Sequence, residues 1–232
     1  MPRLDDAASD VLDALTARYG RARPSAWDLD PFEALAATAF DLALDAPKRS
    51  AAVEALREAG LLDPSALAES DPSEAAEVLR SAGVKSPEKA LLTLRRLAAW
   101  VVEAHGGDAD SLAGEDGPAT AGLREELTAI KGIGQSAADA LLLFALRRPV
   151  YPVDRATYRV FVRHGWVDPS ADSEEARDRV EGLAPDDPST LAHLSTAFER
   201  VGREYCRASV AKCEKCPLRP FLPDGGPVDP RD

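Results

Sequence analysis

The chain has few cysteines, few aromatic residues and no long apolar run. Of its 232 residues, 3 are cysteine, 1 is methionine and 6% are aromatic. No uninterrupted apolar segment approaches the about 18 residues of a membrane-spanning helix, and no N-terminal apolar run resembles a signal peptide. We therefore expect a cytoplasmic protein without membrane association, in which the thiols stay reduced and an odd number of cysteines is no anomaly.

The composition favours an all-α protein with one compact domain or two closely associated ones. Hydrophobic residues make up 45% of the chain, which is enough for a sizeable core. Alanine and leucine dominate, and no strand-like alternation of apolar and polar residues is evident. Acidic residues outnumber basic ones by 40 to 28, so the formal net charge is −12. An acidic protein can still bind a polyanion, but only through a local basic face.

Several helix boundaries can be predicted from short motifs. An acidic residue or serine followed by proline is typical of a helix N-terminus. This motif occurs at Asp30 and Pro31, at Asp71 and Pro72, and at Ser86 and Pro87. Glycine is typical of a helix C-terminus, and the predicted helix ends are Gly60, Gly83 and Gly106.

A pair of helices joined by a tight turn is predicted between residues 123 and 145. Leu123, Leu127 and Ile130 recur at helical spacing. Gly132 can end this helix, because glycine adopts a positive φ without penalty. Ser136 is then the expected N-cap of the second helix. Most helix pairs with a glycine turn are structural only, so this pattern alone is a weak indication of function.

The turn between these helices, residues 131–134, has the properties of an anion site. Its two glycines would let a phosphodiester approach where a side chain would clash. The amides of the turn and the positive end of the second helix would both attract a phosphate.

A basic run with a single acid follows the helix pair. The acid is Asp154, and its basic neighbours are Arg147, Arg148, Arg155, Arg159 and Arg163. Neutralisation of phosphates by arginine and lysine dominates nucleic-acid affinity, so this run is a candidate nucleic-acid contact. The alternative interpretation is a solvated basic face.

All three cysteines lie within eleven residues, in the spacing C-x6-C-x2-C. They are Cys206, Cys213 and Cys216. Soft thiolates at this spacing suit an iron–sulfur cluster or a zinc ion. The alternative is a group of ordinary thiols. His105 and His164 are expected at helix ends rather than as ligands.

Residues 127–159, together with the cysteine motif, resemble the helix-hairpin-helix DNA glycosylases of the endonuclease III superfamily, also called HhH-GPD. The resemblance is strongest over residues 123–163 and 200–219. It implies an all-α, two-domain fold with a central DNA-binding cleft. Residues 30–148 would form a helical domain that ends in the helix-hairpin-helix. Residues 1–29 and 149–232 would form the second helical domain, with a C-terminal iron–sulfur module.

The resemblance also implies site residues and partners. Asp154 matches the catalytic aspartate of a base-excision-repair glycosylase. The DNA-binding residues would be Lys131, Gly132, Ile133, Gly134 and Arg155. The expected partner is double-stranded DNA with a damaged or mismatched base, bound by a monomer in the cytoplasm, at the nucleoid. A monovalent cation at the hairpin carbonyls is a further expectation.

Four departures from the family pattern change what is expected. Ser136 replaces the lysine that forms a Schiff base, which favours a monofunctional glycosylase that hydrolyses the N-glycosidic bond. Ala43 replaces a gap-filling glutamine, and Thr38 replaces the glutamate of adenine-mismatch enzymes, so that substrate is disfavoured. Leu222 stands where the family has its fourth cysteine.

The cofactor and the activity therefore have alternatives. A [4Fe-4S] cluster held by the three cysteines is expected, with Asp224 as candidate fourth ligand. A zinc site, or a decayed site held by packing, would be the alternatives. For activity, the alternatives are a strand-nicking enzyme that uses Lys131 as the amine and a DNA-binding paralogue without catalysis.

Overall fold

The structure is a computed structural model that describes residues 4–21, 23–44, 46–114 and 116–229. Within these ranges no β-strand is present, and the all-α prediction is confirmed. The α-helices are α1 Leu4–Tyr19, α2 Pro31–Asp41, α3 Ala46–Glu58, α4 Pro64–Glu69, α5 Pro72–Ser81, α6 Glu88–His105, α7 Thr120–Ala129, α8 Gln135–Ala140, α9 Arg155–Arg163, α10 Ser173–Glu181 and α11 Pro188–Glu204.

Shorter helical turns complete the fold. A π-helical turn, Leu141–Ala145, continues α8. The 3₁₀ turns are Ser25–Asp28, Asp110–Leu112, Cys213–Lys215 and Arg219–Phe221. None of the helices in the described part of the chain is long and apolar enough to cross a membrane.

The chain divides into two compact units. The central unit comprises residues 24–148 and contains α2 to α8. The terminal unit comprises residues 1–23 and 149–232 and contains α1, α9, α10 and α11. The helix pair with the glycine turn belongs to the central unit, whereas Asp154 and the three cysteines belong to the terminal unit.

The core of the central unit is formed by α2, α6 and the π-helical turn after α8. Phe40, Leu94 and Leu142 are fully buried in these three elements. Leu91, Leu94, Leu97 and Val101 repeat every three or four residues along one face of α6 and are all buried. This spacing is that of an amphipathic helix with one face against a core, as the apolar pattern predicts.

The helix starts agree only partly with the motifs. Asp71 caps α5 by accepting hydrogen bonds from the amides of Ser73 and Glu74, at 2.8 and 3.1 Å. Asp30 occupies the N-cap position of α2 but makes no such bond. At α6 the N-cap is Pro87 rather than Ser86, so the motif marks the region of the helix start but not its residue. Gly106 ends α6 in the left-handed conformation, with φ 63°.

The segment between α6 and α7 is fixed to the rest of the central unit by Arg148. This buried guanidinium donates from Nε and Nη2 to the Leu112 carbonyl oxygen, at 3.0 and 2.6 Å. The amide of Gly114 also donates to the carbonyl of Leu146, at 3.0 Å. Leu112 and Gly114 are therefore held against the packed central unit.

The terminal unit is built on the close packing of α9 against α11. A Cβ placed on Gly202 would lie 2.5 Å from the Cβ of Ala156, so only glycine permits this approach of the two helices. Phe161 and Phe198 pack edge to face nearby, with ring centroids 5.0 Å apart. In α1, the Thr16 hydroxyl hydrogen-bonds to Nε2 of His193 in α11, at 3.0 Å.

Candidate active site and DNA-binding hairpin

The predicted helix pair is present, but its second helix begins earlier than expected. α7 ends at Ala129, and α8 begins at Gln135 with Gly134 in the N-cap position. Ser136 is therefore the second residue of α8 and not its N-cap, because glycine takes the cap without needing a side-chain bond. Gly132 has φ 106°, a conformation that L side chains rarely adopt.

Two residues of α6 lie against the glycine turn. Arg96 donates from Nη1 to the Lys131 carbonyl oxygen, at 2.7 Å. A Cβ on Gly132 would lie 3.3 Å from Oγ1 of Thr93. Gly132 is thus required both for its φ and for the close approach of α6. Arg96 could not be identified from the sequence, because it lies 35 residues before Lys131 and no motif links the two.

The turn presents backbone amides at the surface. Lys131, Gly132 and Gly134 are exposed, whereas Ile133 is buried and anchors the turn. The Ile133 amide donates back to the Ile130 carbonyl oxygen, at 3.0 Å. Among the described residues, the amides of Gly132 and Gly134 have no acceptor. Together with the N-terminus of α8 they form the kind of surface that binds an anion.

An ion pair joins the two helices behind this turn. Nε of Arg124 in α7 lies 2.5 Å from Oδ1 of Asp139 in α8, and Nη2 lies 3.2 Å from Oδ2. The Asp139 side chain is 5% exposed and that of Arg124 20%. A bidentate pair with so little solvent access holds α7 and α8 at a fixed separation.

Asp154 occupies the N-cap of α9. Its Oδ1 accepts a hydrogen bond from the Thr157 amide at 2.6 Å, and the side chain is partly buried. This cap occupies one carboxylate oxygen.

Asp154 and Arg155 line an open groove over α9 and α11. The other lining residues are Ala156, Arg159, Glu199, Gly202 and Arg203. Arg203 forms an ion pair with Glu199 four residues earlier on α11. Arg155 is exposed at the groove and has no side-chain hydrogen bond to another described residue.

Most of the arginine run serves the fold rather than the surface, contrary to its interpretation as a nucleic-acid contact. Arg148 and Arg163 are buried, and both donate to backbone carbonyls. Arg159 donates from Nε to the Cys206 carbonyl oxygen, at 2.6 Å. Arg147 lies over the Trp27 ring, 5.9 Å from its centroid. A run of basic residues in the sequence does not indicate which guanidinium groups are buried and donate hydrogen bonds to carbonyl oxygens.

The aromatic residues near Asp154 pack inside the terminal unit. Tyr151 is fully buried and Trp166 is 5% exposed. Burial raises the pKa of Tyr151 well above its usual value, so the phenol stays protonated. The Tyr158 hydroxyl donates to the Ala171 carbonyl oxygen at 2.6 Å.

The three cysteines lie around a small cavity in the terminal unit. The cavity is partly open to solvent. Its other lining residues are Arg163, His164, Tyr205, Ala211, Arg219, Leu222 and Pro227. Nη1 of Arg163 lies 3.3 Å from Sγ of Cys206. Leu222, at the position of the family's fourth cysteine, is thus part of the cavity wall, whereas Asp224 is exposed and outside it.

The thiols fit a cluster better than a single ion. No group of three or more His, Cys, Asp or Glu side chains among the described residues converges closely enough to hold one metal ion. Cluster thiolates each bind a different iron, so they surround a cavity instead of meeting at one point. Burial raises the pKa of Cys216 to about 11, and it also raises that of Cys213. A metal must therefore displace their protons on binding.

The remaining predicted positions are in the central unit. Ser136 is partly buried in the first turn of α8. Ala43 is exposed just after α2, beside Leu42, whose exposed fraction is 54%. Thr38 is 3% exposed, and its hydroxyl has no hydrogen-bond partner among the described residues.

No family model matches the chain, but individual proteins do. A protein of Methanocaldococcus jannaschii named as a DNA repair glycosylase is 29% identical over 170 residues, covering 73% of this chain and 75% of its own. Endonuclease III of Thermotoga maritima is 25% identical over 158 residues, covering 67% of this chain and 66% of its own.

A solved structure extends the likeness over almost the whole chain. It is a trapped covalent intermediate of endonuclease III with DNA, which matches with a TM-score of 0.69 and 20% identity. The match covers 94% of this chain and 96% of the other. At this identity the likeness establishes a shared fold.

Proposed function

We propose that the chain is a member of the endonuclease III-like helix-hairpin-helix superfamily of DNA glycosylases and that it removes a damaged or mismatched base from double-stranded DNA. The reaction is hydrolysis of the N-glycosidic bond, the first step of base excision repair. A solved complex of endonuclease III with DNA, which shares this fold, supports DNA as the partner.

The position of Asp154 carries this proposal. The carboxylate lies at an open groove, and its α9 cap uses only one of its oxygens. A carboxylate at this position would stabilise the positive charge of an oxocarbenium-like sugar. In the attack of water on the anomeric carbon, the water oxygen replaces the base nitrogen and Asp154 accepts the proton. The target nucleotide must first leave the stack, because its glycosidic bond is out of reach in a duplex.

The hairpin turn would bind the DNA backbone. The exposed amides of Gly132 and Gly134 match a phosphate, and Lys131 and Arg155 add positive charge. A monovalent cation at the hairpin carbonyls would add to this; the Lys131 carbonyl already accepts from Arg96. The enzyme acts as a monomer in this proposal.

The enzyme would be monofunctional. An alcohol cannot form an imine with the sugar, and Ser136 occupies the position of the family's lysine. Lys131 is the amine nearest to it in sequence, but its exposed position at the turn suits a phosphate contact better than attack on the sugar.

A [4Fe-4S] cluster would be held by Cys206, Cys213 and Cys216. When bound, it would supply iron–thiolate bonds that join the cysteine loop to the end of α11. Arg159 and Arg163 already hold the same loop through the Cys206 carbonyl oxygen and thiol, at 2.6 and 3.3 Å. In this proposal the cluster would be a structural group, and no step of base removal would pass through it.

The test is release of a free base from defined duplexes. Duplexes with alkylated purines, oxidised pyrimidines, uracil or thymine mismatches are incubated with the protein, and free bases are measured by mass spectrometry. We expect release from at least one substrate, and loss of that release in Asp154→Asn. Binding to all duplexes without release from any would contradict the proposal and favour the non-catalytic paralogue.

A further inference from the structure

We propose that the fourth protein ligand of the iron–sulfur cluster is His164. This inference depends on the cluster proposed above but not on glycosylase activity. Leu222 provides no donor at the position of the family's fourth cysteine. The cluster would therefore lack one protein ligand unless another side chain in the cavity wall provides it.

His164 is in that wall, on the same cavity as the three thiols. It follows directly after α9, and the imidazole is 5% exposed. Cys206 comes from the end of α11, and Cys213 and Cys216 from the following loop. The fourth ligand would thus come from the end of α9, whereas the three thiols come from the end of α11 and the loop after it. Besides the cysteines, the cavity lining has two side chains of types that ligate iron, His164 and Tyr205, and the Tyr205 hydroxyl already accepts hydrogen bonds from Arg18.

Both ring nitrogens of His164 lie near backbone carbonyl oxygens. Nδ1 lies 2.8 Å from the Val160 carbonyl oxygen, and Nε2 lies 3.3 Å from the Leu218 carbonyl oxygen. A neutral imidazole has one N–H, so it can donate to only one of these two carbonyl oxygens. In the tautomer that donates from Nδ1, the lone pair of Nε2 receives no hydrogen bond and can bind a metal. Metal-bound histidines typically donate their other N–H to a backbone carbonyl in this way.

The cysteine loop faces this nitrogen. Leu218 is two residues after Cys216, so Nε2 points to the segment that carries one of the thiols. An iron bound to Nε2 would replace the present contact between Nε2 and the Leu218 carbonyl oxygen. Asp224 competes poorly as a ligand, because its exposed position is outside the cavity lining.

The experiment uses full-length protein purified without oxygen, labelled with ⁵⁷Fe and with ¹⁵N-histidine. Iron and sulfide contents are measured first, and Mössbauer spectra distinguish the unique iron from the thiolate-bound ones. Pulsed electron paramagnetic resonance, after reduction or oxidation to a paramagnetic state, measures hyperfine coupling to the histidine nitrogen. We expect about four irons per chain, one distinct iron site and a strong ¹⁵N coupling.

Variants test whether these signals come from His164. His164→Ala should lose the ¹⁵N coupling and at least half of the bound iron. Adding Leu222→Cys to that variant should restore the iron content without the coupling, which also establishes that the His164→Ala chain folds. Asp224→Asn is the matched control and should retain both signals.

Each possible result either supports or overturns the assignment of His164 as the fourth ligand. Four irons without nitrogen coupling, or an unchanged Mössbauer spectrum in His164→Ala, would overturn the assignment. Loss of iron in Asp224→Asn alone would move the fourth ligand to Asp224. Protein without iron after reconstitution with ferrous iron and sulfide would overturn both the cluster and its ligand. Base release, measured separately, would still test the glycosylase proposal on its own.

Discussion

At the scale of single residues, Asp154 has a structural role as a helix cap, and we propose a chemical role for it as well. It caps α9 through the Thr157 amide and lies at the groove of the terminal unit. The two roles can be separated, because asparagine is as good an N-cap as aspartate but has no charge.

Asp154→Asn should therefore reduce base release by more than about 100-fold, the typical effect of losing electrostatic stabilisation in a transition state. Its free energy of unfolding should stay close to wild type. Asp154→Ala should lose the same activity and also about 1 kcal/mol of stability, since the cap is removed. Single-turnover assays and urea denaturation measure both effects. Wild-type rates in Asp154→Asn would show that another group carries the charge.

The arginines show the limit of reasoning from sequence at this scale. The run around Asp154 indicated a basic surface, yet Arg148 and Arg163 are buried against carbonyl oxygens. His164 is at a helix end, as expected, but its place in the cysteine cavity depends on a contact 54 residues away in sequence. Such inward contacts are set by tertiary packing, which composition and spacing do not encode.

At the scale of elements, two interhelical contacts position the site. The Arg124–Asp139 pair fixes α7 against α8 behind the hairpin turn. The close approach of Ala156 and Gly202 fixes α9, and with it Asp154, against α11. Local motifs predicted the helices themselves, since caps and apolar spacing are local signals. They did not predict either contact, because helical spacing does not specify partners.

Asp139→Asn should destabilise the protein by about 2–3 kcal/mol. Breaking a buried ion pair costs about 3–5 kcal/mol, and the partial exposure of Arg124 reduces this. Affinity for undamaged duplex should fall as well, because the hairpin turn loosens. Glu88→Gln, in an exposed pair with Arg80, is the control and should change neither quantity. Equal effects in both variants would mean that the buried pair has no special role.

Gly202→Ala should reduce base release and lower stability by about 1–3 kcal/mol, as expected for an overpacked contact. The added Cβ would meet Ala156, so α9 and its N-cap must move. Combining it with Ala156→Gly should recover part of the activity. Gly182→Ala, where the new Cβ would meet no atom closer than 3.4 Å, is the control. Rates and urea midpoints for the four chains test this, and full activity in Gly202→Ala would contradict it.

At the scale of the whole molecule, a net charge of −12 is unusual for a protein that binds DNA. Since several arginines face inward, few remain to contact phosphate. Affinity for duplex should therefore be modest and fall steeply with salt. The all-α fold could be predicted from the sequence, because the hairpin, the aspartate and the cysteines together form a specific combination. The base that the proposed activity would remove could not, since a base pocket would depend on side chains from several helices.

Stability should also depend on pH through His193. Burial, followed by the nearby charge of Arg21, lowers the pKa of this imidazole in the folded state. Below pH about 6.5 the unfolded chain takes up a proton that the folded state resists, so stability falls as the pH decreases. His193→Gln should weaken this dependence. Urea denaturation between pH about 5 and about 7.5 measures the two slopes, and identical slopes would exclude His193 as a source.

The central claim, base removal without strand cleavage, is tested most directly on the duplex from which the protein releases a base. Reactions with an end-labelled strand are divided, and one half is heated with alkali before electrophoresis. A parallel reaction contains borohydride to trap any imine between protein and DNA. With Ser136 at the lysine position, we predict a cleaved strand only after alkali and no trapped complex. Cleavage without alkali, together with a trapped complex that disappears in Lys131→Gln, would contradict the account and identify a lyase.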